Sequence, residues 1–429
     1  MSTDKVFSLE GRGLKLTTAE DIEPHIKALK ENSSVDEVRF LGNTLGVEAC
    51  EALAKVLETK KNLKVANFAD IFTGRLLSEI PPALQHLVNA FLTLPNLHTV
   101  DLCDNAFGLN TVAPLVDFLS AHTPLRFLYL NNNGMGPAAG VLLADALTAL
   151  AGKKEAARKE GNEVPDLELV ICGRNRLENG SMAAWAKAYA ANKGVKTIKM
   201  TQNGIRQEGI THLLTHGIAH LSQLETLDLQ DNTFTAMGGK ALSNVISNWP
   251  SLRELGVGDC LLSGRGGIAL ANALQKGHNK DIEVLRLQFN EINAKGLAGL
   301  ATAAPKLPAL RRVEINGNKF DEEDPSIEKL REVLDARKEE SGEREEDDEE
   351  YWGIDELDEL ESDDDEEEEE DSDDEAKKGS DDEEEGVEVE ERAARQLVED
   401  QRTEDSNVAQ DKDKKVDDLA DVLAKTEIK

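Results

Sequence analysis

The residues best suited to act on another molecule fall in two short stretches. One is FADIFTGR (Phe68–Arg75), which ends in an arginine just after a glycine. The other is LYLNNNGMG (Leu128–Gly136), with three successive asparagines. A guanidinium is a permanent cation with forked donors, and a carboxamide offers both a donor and an acceptor. Such groups suit binding and orienting a partner's atoms better than making bonds themselves. Asp70 and Asp104 accompany the two stretches, placed to orient Arg75 or to meet basic groups on a partner. Other candidates fail on spacing. SGRGG (Ser263–Gly267) lacks the Lys-Ser or Lys-Thr of a phosphate loop, and its glycines fall where Gly140, Gly209, Gly239 and Gly296 stand elsewhere. The eight histidines show no metal-ligand spacing, and no Ser/His/Asp pattern is visible. Cys50, Cys103, Cys172 and Cys260 form no CxxC pair and read as free thiols, with Cys172 and Cys260 in the core. No metal, no cofactor and no active site of its own are expected.

What must position these residues is a repeat. VDEVRFLGN, LKVANFADI, LHTVDLCDN, LRFLYLNNN, LELVICGRN, VKTIKMTQN, LETLDLQDN, LRELGVGDC, IEVLRLQFN and LRRVEINGN all fit L-x-x-L-x-L-x-x-N/C. A degenerate copy, FSLEGR, begins at Phe7, making about eleven repeats. The framework positions are Asn43, Ile71, Asn105, Asn133, Asn175, Asn203, Asn232, Cys260, Asn290 and Asn318. Most steps are 28 to 30 residues; two are 34 and 42. Each repeat begins as a short strand with alternate residues inward and continues with apolar residues at helical spacing. One unit cannot bury both faces, so the units must stack. The expected fold is an α/β leucine-rich-repeat solenoid, a horseshoe of ribonuclease-inhibitor-type repeats with parallel strands inside and helices outside. The 34-residue step is read as a lengthened helix over SEIPPALQHLVNAFLTL, and the 42-residue step as a charged helical extension.

In this geometry Asp70, Arg75, Asp104, Asn131 and Asn132 all fall in strand-to-helix loops on one rim. Arg75 and the asparagines lie two repeats apart, about 10 Å between backbones, so both could touch one ligand. Ile71 breaks the framework rule beside Arg75, as happens at functional sites.

The ends differ in charge. Of a formal net charge of −35, residues 339–390 carry −30, from 33 acids against Arg344, Lys377 and Lys378; the rest carries −5. A near-neutral body does not bind nucleic acid by charge. The expected organisation is residues 1–338 as the repeat domain, closed by a cap helix starting at Asp324 and Pro325, then 339–390 as a disordered acidic segment. Residues 391–429 form a polar tail in which VDDLADVLAK could make a short helix. The acidic segment would speed association with basic partners, and Ser362, Ser372 and Ser380 precede acidic runs of the kind acidophilic kinases favour. MSTDKVFSLEG has no signal-peptide core and no run is long enough to span a membrane, so no membrane association and a cytoplasmic location are expected.

ADIFTGR, EIPPAL, LHTVDLCDNAFG and LYLNNNGMGP closely resemble the Ran GTPase-activating proteins, particularly the fungal type, and the resemblance runs into the acidic segment. It implies a protein that binds Ran in its GTP form through the rim loops and accelerates GTP hydrolysis by Ran. It matches the family's essential arginine to Arg75 and an asparagine near the nucleotide to Asn132, with Asn131 as the neighbouring alternative. It implies that no arginine finger is inserted. The asparagine helps order Ran's own catalytic glutamine, and the arginine supports the interface. An accessory Ran-binding protein is a further possible partner, and a monomer is expected. The absence of a long domain after the acidic run points to a soluble cytoplasmic form. The rival readings are a non-catalytic binding scaffold like ribonuclease inhibitor, which is richer in cysteine, and an acidic histone-chaperone-like protein, whose repeats are shorter.

Overall fold

A computed structural model describes residues 5–342 and 351–361. The strands are β1 (Val6–Ser8), β2 (Lys15–Leu16), β3 (Glu37–Arg39), β4 (Thr44–Leu45), β5 (Val65–Asn67), β6 (Thr99–Asp101), β7 (Phe127–Tyr129), β8 (Leu169–Ile171), β9 (Thr197–Lys199), β10 (Thr226–Asp228), β11 (Glu254–Gly256), β12 (Val284–Arg286), β13 (Arg312–Glu314) and β14 (Gly353–Ile354). All except β2 and β4 form one parallel sheet in chain order, and β2 and β4 pair with each other. Helices from Ala19–Glu31 to Ala294–Ala303 follow the strands and pack neighbour on neighbour. The solenoid expected from the repeat is thus the fold.

Each three-residue strand after β1 buries its middle side chain and leaves its two neighbours toward the inner face, as Val100 between Thr99 and Asp101 shows. The apolar residues of successive repeats merge into one core. Its amino-terminal part contains a chain of rings, Phe7, Phe40, Phe68, Phe91 and Phe118, with neighbouring centroids 5.0 to 5.9 Å apart.

The framework asparagines fasten repeat to repeat. Asn133 Nδ2 donates to the Leu130 carbonyl in its own strand (2.9 Å) and to the Leu102 carbonyl one repeat earlier (3.1 Å). Its Oδ1 accepts from the Asn105 N–H, 2.9 Å away. Buried amides left without these partners would each cost about 1–3 kcal/mol. Cys260 fills the slot with a weaker donor, its thiol facing the Gly258 carbonyl at 3.3 Å. Ile71 contributes no side-chain bond and is fully buried. There the backbone takes over: Leu45 N–H donates to the Ile71 carbonyl at 2.8 Å, alongside the small β2–β4 sheet.

The opposite edge carries a second set of fastenings, built from unlike side chains. Lys60 donates to the Asn32 carbonyl (2.9 Å), and His122 pairs with the Leu97 carbonyl (2.7 Å). Lys154 reaches three carbonyls, those of Thr123, Leu125 and Pro165, and Asn192 reaches that of Leu147. Trp249, Asn279 and Arg337 do the same further along. On the inner face, charge alternates from repeat to repeat, pairing Arg126 with Glu168, Lys196 with Glu225, and Glu283 with both Arg253 and Arg311.

Three expectations need correction. The 34-residue step does not lengthen its helix, Ile80–Leu92, much beyond the preceding one, Val47–Leu57; the added residues lie in the loop 72–79. The 42-residue step does extend a helix, Gly136–Lys159. The domain boundary at 338 falls inside the cap helix, Pro325–Ser341. Beyond it, residues 351–361 are not part of a disordered segment: they supply the last strand of the sheet. Gly353 N–H donates to the Arg311 carbonyl (2.8 Å), and the Asp355 carboxylate accepts from the N–H groups of Ile315 (2.7 Å) and Asn316 (3.0 Å). Arg311 and Arg312 hold the carbonyls of Tyr351 and Trp352, while Ile354, Leu357 and Leu360 pack against the core. A parallel sheet edge is a row of unpaired amides, and here the chain covers it with its own continuation. The remainder of 339–390 past Glu361, Ser362, Ser372, Ser380 and the tail 391–429 with VDDLADVLAK lie outside the described residues. Among the described residues, no helix is long and apolar enough to cross a membrane.

Candidate functional site

The rim is shaped by a backbone rule. In rung after rung the residue before the framework position is left-handed: φ is 46° at Asp70, 58° at Asp104 and 56° at Asn132, with Gly42 and Gly317 filling the same slot elsewhere. This turns the chain outward while its N–H still extends the ladder: Asp70 donates to the Cys103 carbonyl, Asp104 to Asn131 and Asn132 to Gly173, all at 2.9 Å. Glycine, asparagine and aspartate tolerate this conformation best. Part of the reason for Asp70, Asp104 and Asn132 is therefore local, and their side chains are thrown onto the rim on three consecutive rungs.

Two of those side chains meet. Asn132 Nδ2 donates to Asp104 Oδ1 at 2.8 Å, and both residues are exposed. An ionised carboxylate only accepts, so this contact fixes which way the amide faces. The Asn132 oxygen is left as an acceptor toward solvent. Asn131 is engaged differently. Its Oδ1 takes the Gly173 N–H at 2.6 Å, and its own N–H rests on the Cys103 sulfur at 3.3 Å. Glycine at 173 permits this approach, because a Cβ there would lie 2.6 Å from the Thr201 hydroxyl and 3.2 Å from the Asn131 oxygen. Of the two candidates, Asn132 is the more exposed, with its oxygen unengaged, whereas Asn131 is part-buried with its oxygen taken.

Arg75 lies on the same rim but turns the other way. Its guanidinium donates to the Thr17 hydroxyl (3.1 Å), the Leu16 carbonyl (3.3 Å) and the Thr44 carbonyl (3.1 Å). Those groups belong to the β2–β4 sheet and the start of the first helix, so the side chain is half-buried and ties the 72–79 loop to the amino-terminal end. It does not close the gap to the asparagines, as the spacing had led us to expect. Asp70 bonds the Thr73 hydroxyl rather than orienting Arg75. Asp21 holds the arginine's neighbourhood from below. The Thr18 and Thr17 N–H groups donate to its carboxylate, lowering its pKa, with Arg75 adding to the shift. The tethered loop displays Leu76 and Leu77, 68% and 62% exposed. Sequence reasoning passed over them, although two adjacent leucines off the repeat's apolar positions were the signal. Among the described residues, no cluster of three or more His, Cys, Asp or Glu side chains could hold a metal.

Comparison with known proteins supplies the remaining link. A leucine rich repeat family model matches residues 220–243 and 278–301. The chain is 39% identical over 341 residues to Ran GTPase-activating protein 1 of Saccharomyces cerevisiae, spanning 77% of this chain and 83% of that protein. It is 42% identical over 205 residues to Ran GTPase-activating protein 1 of Xenopus laevis, spanning 47% of this chain and only 35% of that protein. A ribonuclease inhibitor of Sus scrofa is 28% identical over 200 residues, 46% of this chain and 41% of its own. With the yeast relative aligned across most of both chains, and the repeats and rim in place, the chain belongs to the Ran GTPase-activating protein family.

Proposed function

We propose that this protein stimulates GTP hydrolysis by Ran, docking Ran in its GTP form on the rim and acting on the partner's catalytic machinery with no active site of its own. The observation that carries the reading is the Asn132 amide, oriented by Asp104 with its oxygen outward on an exposed edge. That oxygen can accept from the side-chain NH₂ of Ran's catalytic glutamine. The glutamine's own carbonyl is then left to hold the attacking water, which is what hydrolysis requires. Restricting one mobile side chain before the transition state is a contribution of the proximity kind, worth several kcal/mol when the geometry is right. Asn132 is assigned the positioning role, with Asp70, Asp104 and Asn131 as rim contacts.

Arg75 is assigned a supporting role. Its guanidinium is bonded to Leu16, Thr17 and Thr44, which supports a part in shaping the 72–79 loop rather than stabilising phosphate charge. One assay tests the whole reading: single-turnover GTP hydrolysis by purified Ran with a catalytic amount of this protein. A large acceleration that turns over is expected, and a rate equal to that of Ran alone would overturn it. A binding scaffold or histone chaperone would give that second result.

A further inference from the structure

The rim changes sign beyond Asn132. Next to Asp70 and Asp104 comes Asn132, and then, on the next two rungs, Arg174, Arg176 and Arg206, all exposed. Arg174 N–H donates to the Thr201 carbonyl at 2.8 Å, and Arg206 N–H to Asn179 Oδ1 at 2.8 Å, so these two backbones are fixed on neighbouring loops. Further on the slot turns acidic again with Asp231 and Asp259.

Two of these arginines occupy positions where an arginine is out of place. Arg174 and Arg176 both have φ near 55°. On the rungs to either side of Arg176 the equivalent residues are Gly134 and Gly204, also left-handed. Aspartate and asparagine offset this conformation with local hydrogen bonds, but a long cationic side chain has no such compensation. Gln202 and Phe289 occupy the Arg174 slot as well, and Leu261 and Glu291 the Arg176 slot, so the repeat imposes this backbone on several side-chain types. Phe289 has a packing reason, its ring lying where a Cβ on Gly317 would fall, 2.1 Å away. Arg174 and Arg176 have no ion pair among the described residues. Of the nearby acids, Glu208 takes hydrogen bonds from Asn179 and Gln207, with Arg206 adding only a through-space effect, while Glu178, in the Arg176 loop, forms no ion pair among the described residues. What sets Arg174 and Arg176 apart is that they are exposed cations with no ion pair among the described residues, on the rungs next to Asn132, where a partner's surface can supply the missing counter-charge.

We infer that Arg174, Arg176 and Arg206 form a docking subsite for a carboxylate-bearing surface of the bound GTPase, contiguous with Asn132. This deepens the Ran reading and rests on it. Adjacent rungs are about 4.8 Å apart, so a partner seated over Asn132 necessarily overhangs this patch. Exposed charges of this kind govern encounter and affinity more than chemistry.

The test uses full-length protein and Ran·GTP, with KM and kcat for stimulated hydrolysis measured at several salt concentrations. Two double variants are compared, Arg174→Gly with Arg176→Gly, and Arg174→Glu with Arg176→Glu. The glycine pair is expected to melt no lower than the parent, since it relieves the backbone, while raising KM about 10-fold with kcat within about 2-fold. The glutamate pair raises KM further, and both flatten the salt dependence. KM within about twofold of the parent in both pairs would overturn the inference. So would a rise in KM that tracks a lowered melting temperature, or a fall in kcat at constant KM, which would put the arginines at the nucleotide instead. If the parent itself fails to stimulate Ran, the functional reading falls and this one with it. A stimulating parent with unaffected variants removes this one alone.

Discussion

Replacing Asp104 with glycine isolates the contact on which the proposed mechanism turns. Glycine is the choice because position 104 is left-handed, with φ of 58°, so the backbone is kept and only the carboxylate is lost. The hydrogen bond removed is 2.8 Å long with a charged acceptor, but exposed, so its net worth is about 1–1.5 kcal/mol. If that bond serves only to hold the Asn132 amide, its loss appears in kcat as a fall of about 5- to 10-fold, with KM for Ran·GTP little changed. Removal of the amide itself by Asn132→Gly should cost more, about 30-fold or roughly 2 kcal/mol. Stability should fall by no more than that same amount, about 1–1.5 kcal/mol, in either, since neither side chain is buried. The decisive measurement is the double-variant cycle in single-turnover hydrolysis. Once Asn132 is gone, the carboxylate has nothing left to orient, so the double variant should match Asn132→Gly within about twofold. Losses that multiply would show Asp104 acting on the partner independently, and the orientation argument would be wrong.

Other perturbations test the supporting structure. Asp355→Ala strands the N–H groups of Ile315 and Asn316, so their hydrogen-exchange protection should fall about 30-fold, the equivalent of about 2 kcal/mol. A chain ending at residue 338 exposes β13 and should self-associate in sedimentation experiments, whereas one ending at 361 should not. Arg75→Ala removes three hydrogen bonds and should speed exchange throughout the 72–79 loop while lowering kcat/KM for Ran, with lysine restoring little because it cannot span the same acceptors. Burial pushes the His122 imidazole down to about 4, so the unfolded chain takes up a proton there before the folded one does as pH falls. Its contribution is complete above about pH 6.5 and is lost on the way down to about pH 4, some 3 kcal/mol in all, and His122→Gln should flatten that part of a urea-midpoint profile against pH.

The repeat was legible because one rule recurs: an apolar triplet and an asparagine at a fixed offset dictate the strands, the parallel sheet and the shared rim. The same rule put Asn131 and Asn132 on the rim, but it was the resemblance to the Ran GTPase-activating proteins that singled out Asn132. What it does with Asp104 was not, since the two residues are 28 positions apart and meet only across rungs. The direction taken by Arg75 depends on Leu16 and Thr17, almost 60 residues earlier, in a cap whose repeat is degenerate. The last strand was hidden by composition. Ile354 takes the strand's central position opposite Val313, but Leu357 and Leu360 follow at intervals of three rather than the repeat's three and two, and all three sit inside an acidic run, so neither pattern nor charge gave the strand away. The fastenings on the opposite edge left no motif at all, because lysine, histidine, asparagine, tryptophan and arginine each solve the same problem of an unpaired carbonyl.

That a late segment completes the spiral bears on how the molecule is made. A ribosome delivers the rungs in spatial order, and each new strand finds its neighbour already waiting, so the growing end always has one raw side. Only when Gly353 and Ile354 emerge can that side be sealed, and until then any other nascent copy is a competitor for it. The closing strand comes flanked by carboxylates. Once that strand is in place, two copies present like charge to one another at this edge, which disfavours their joining there.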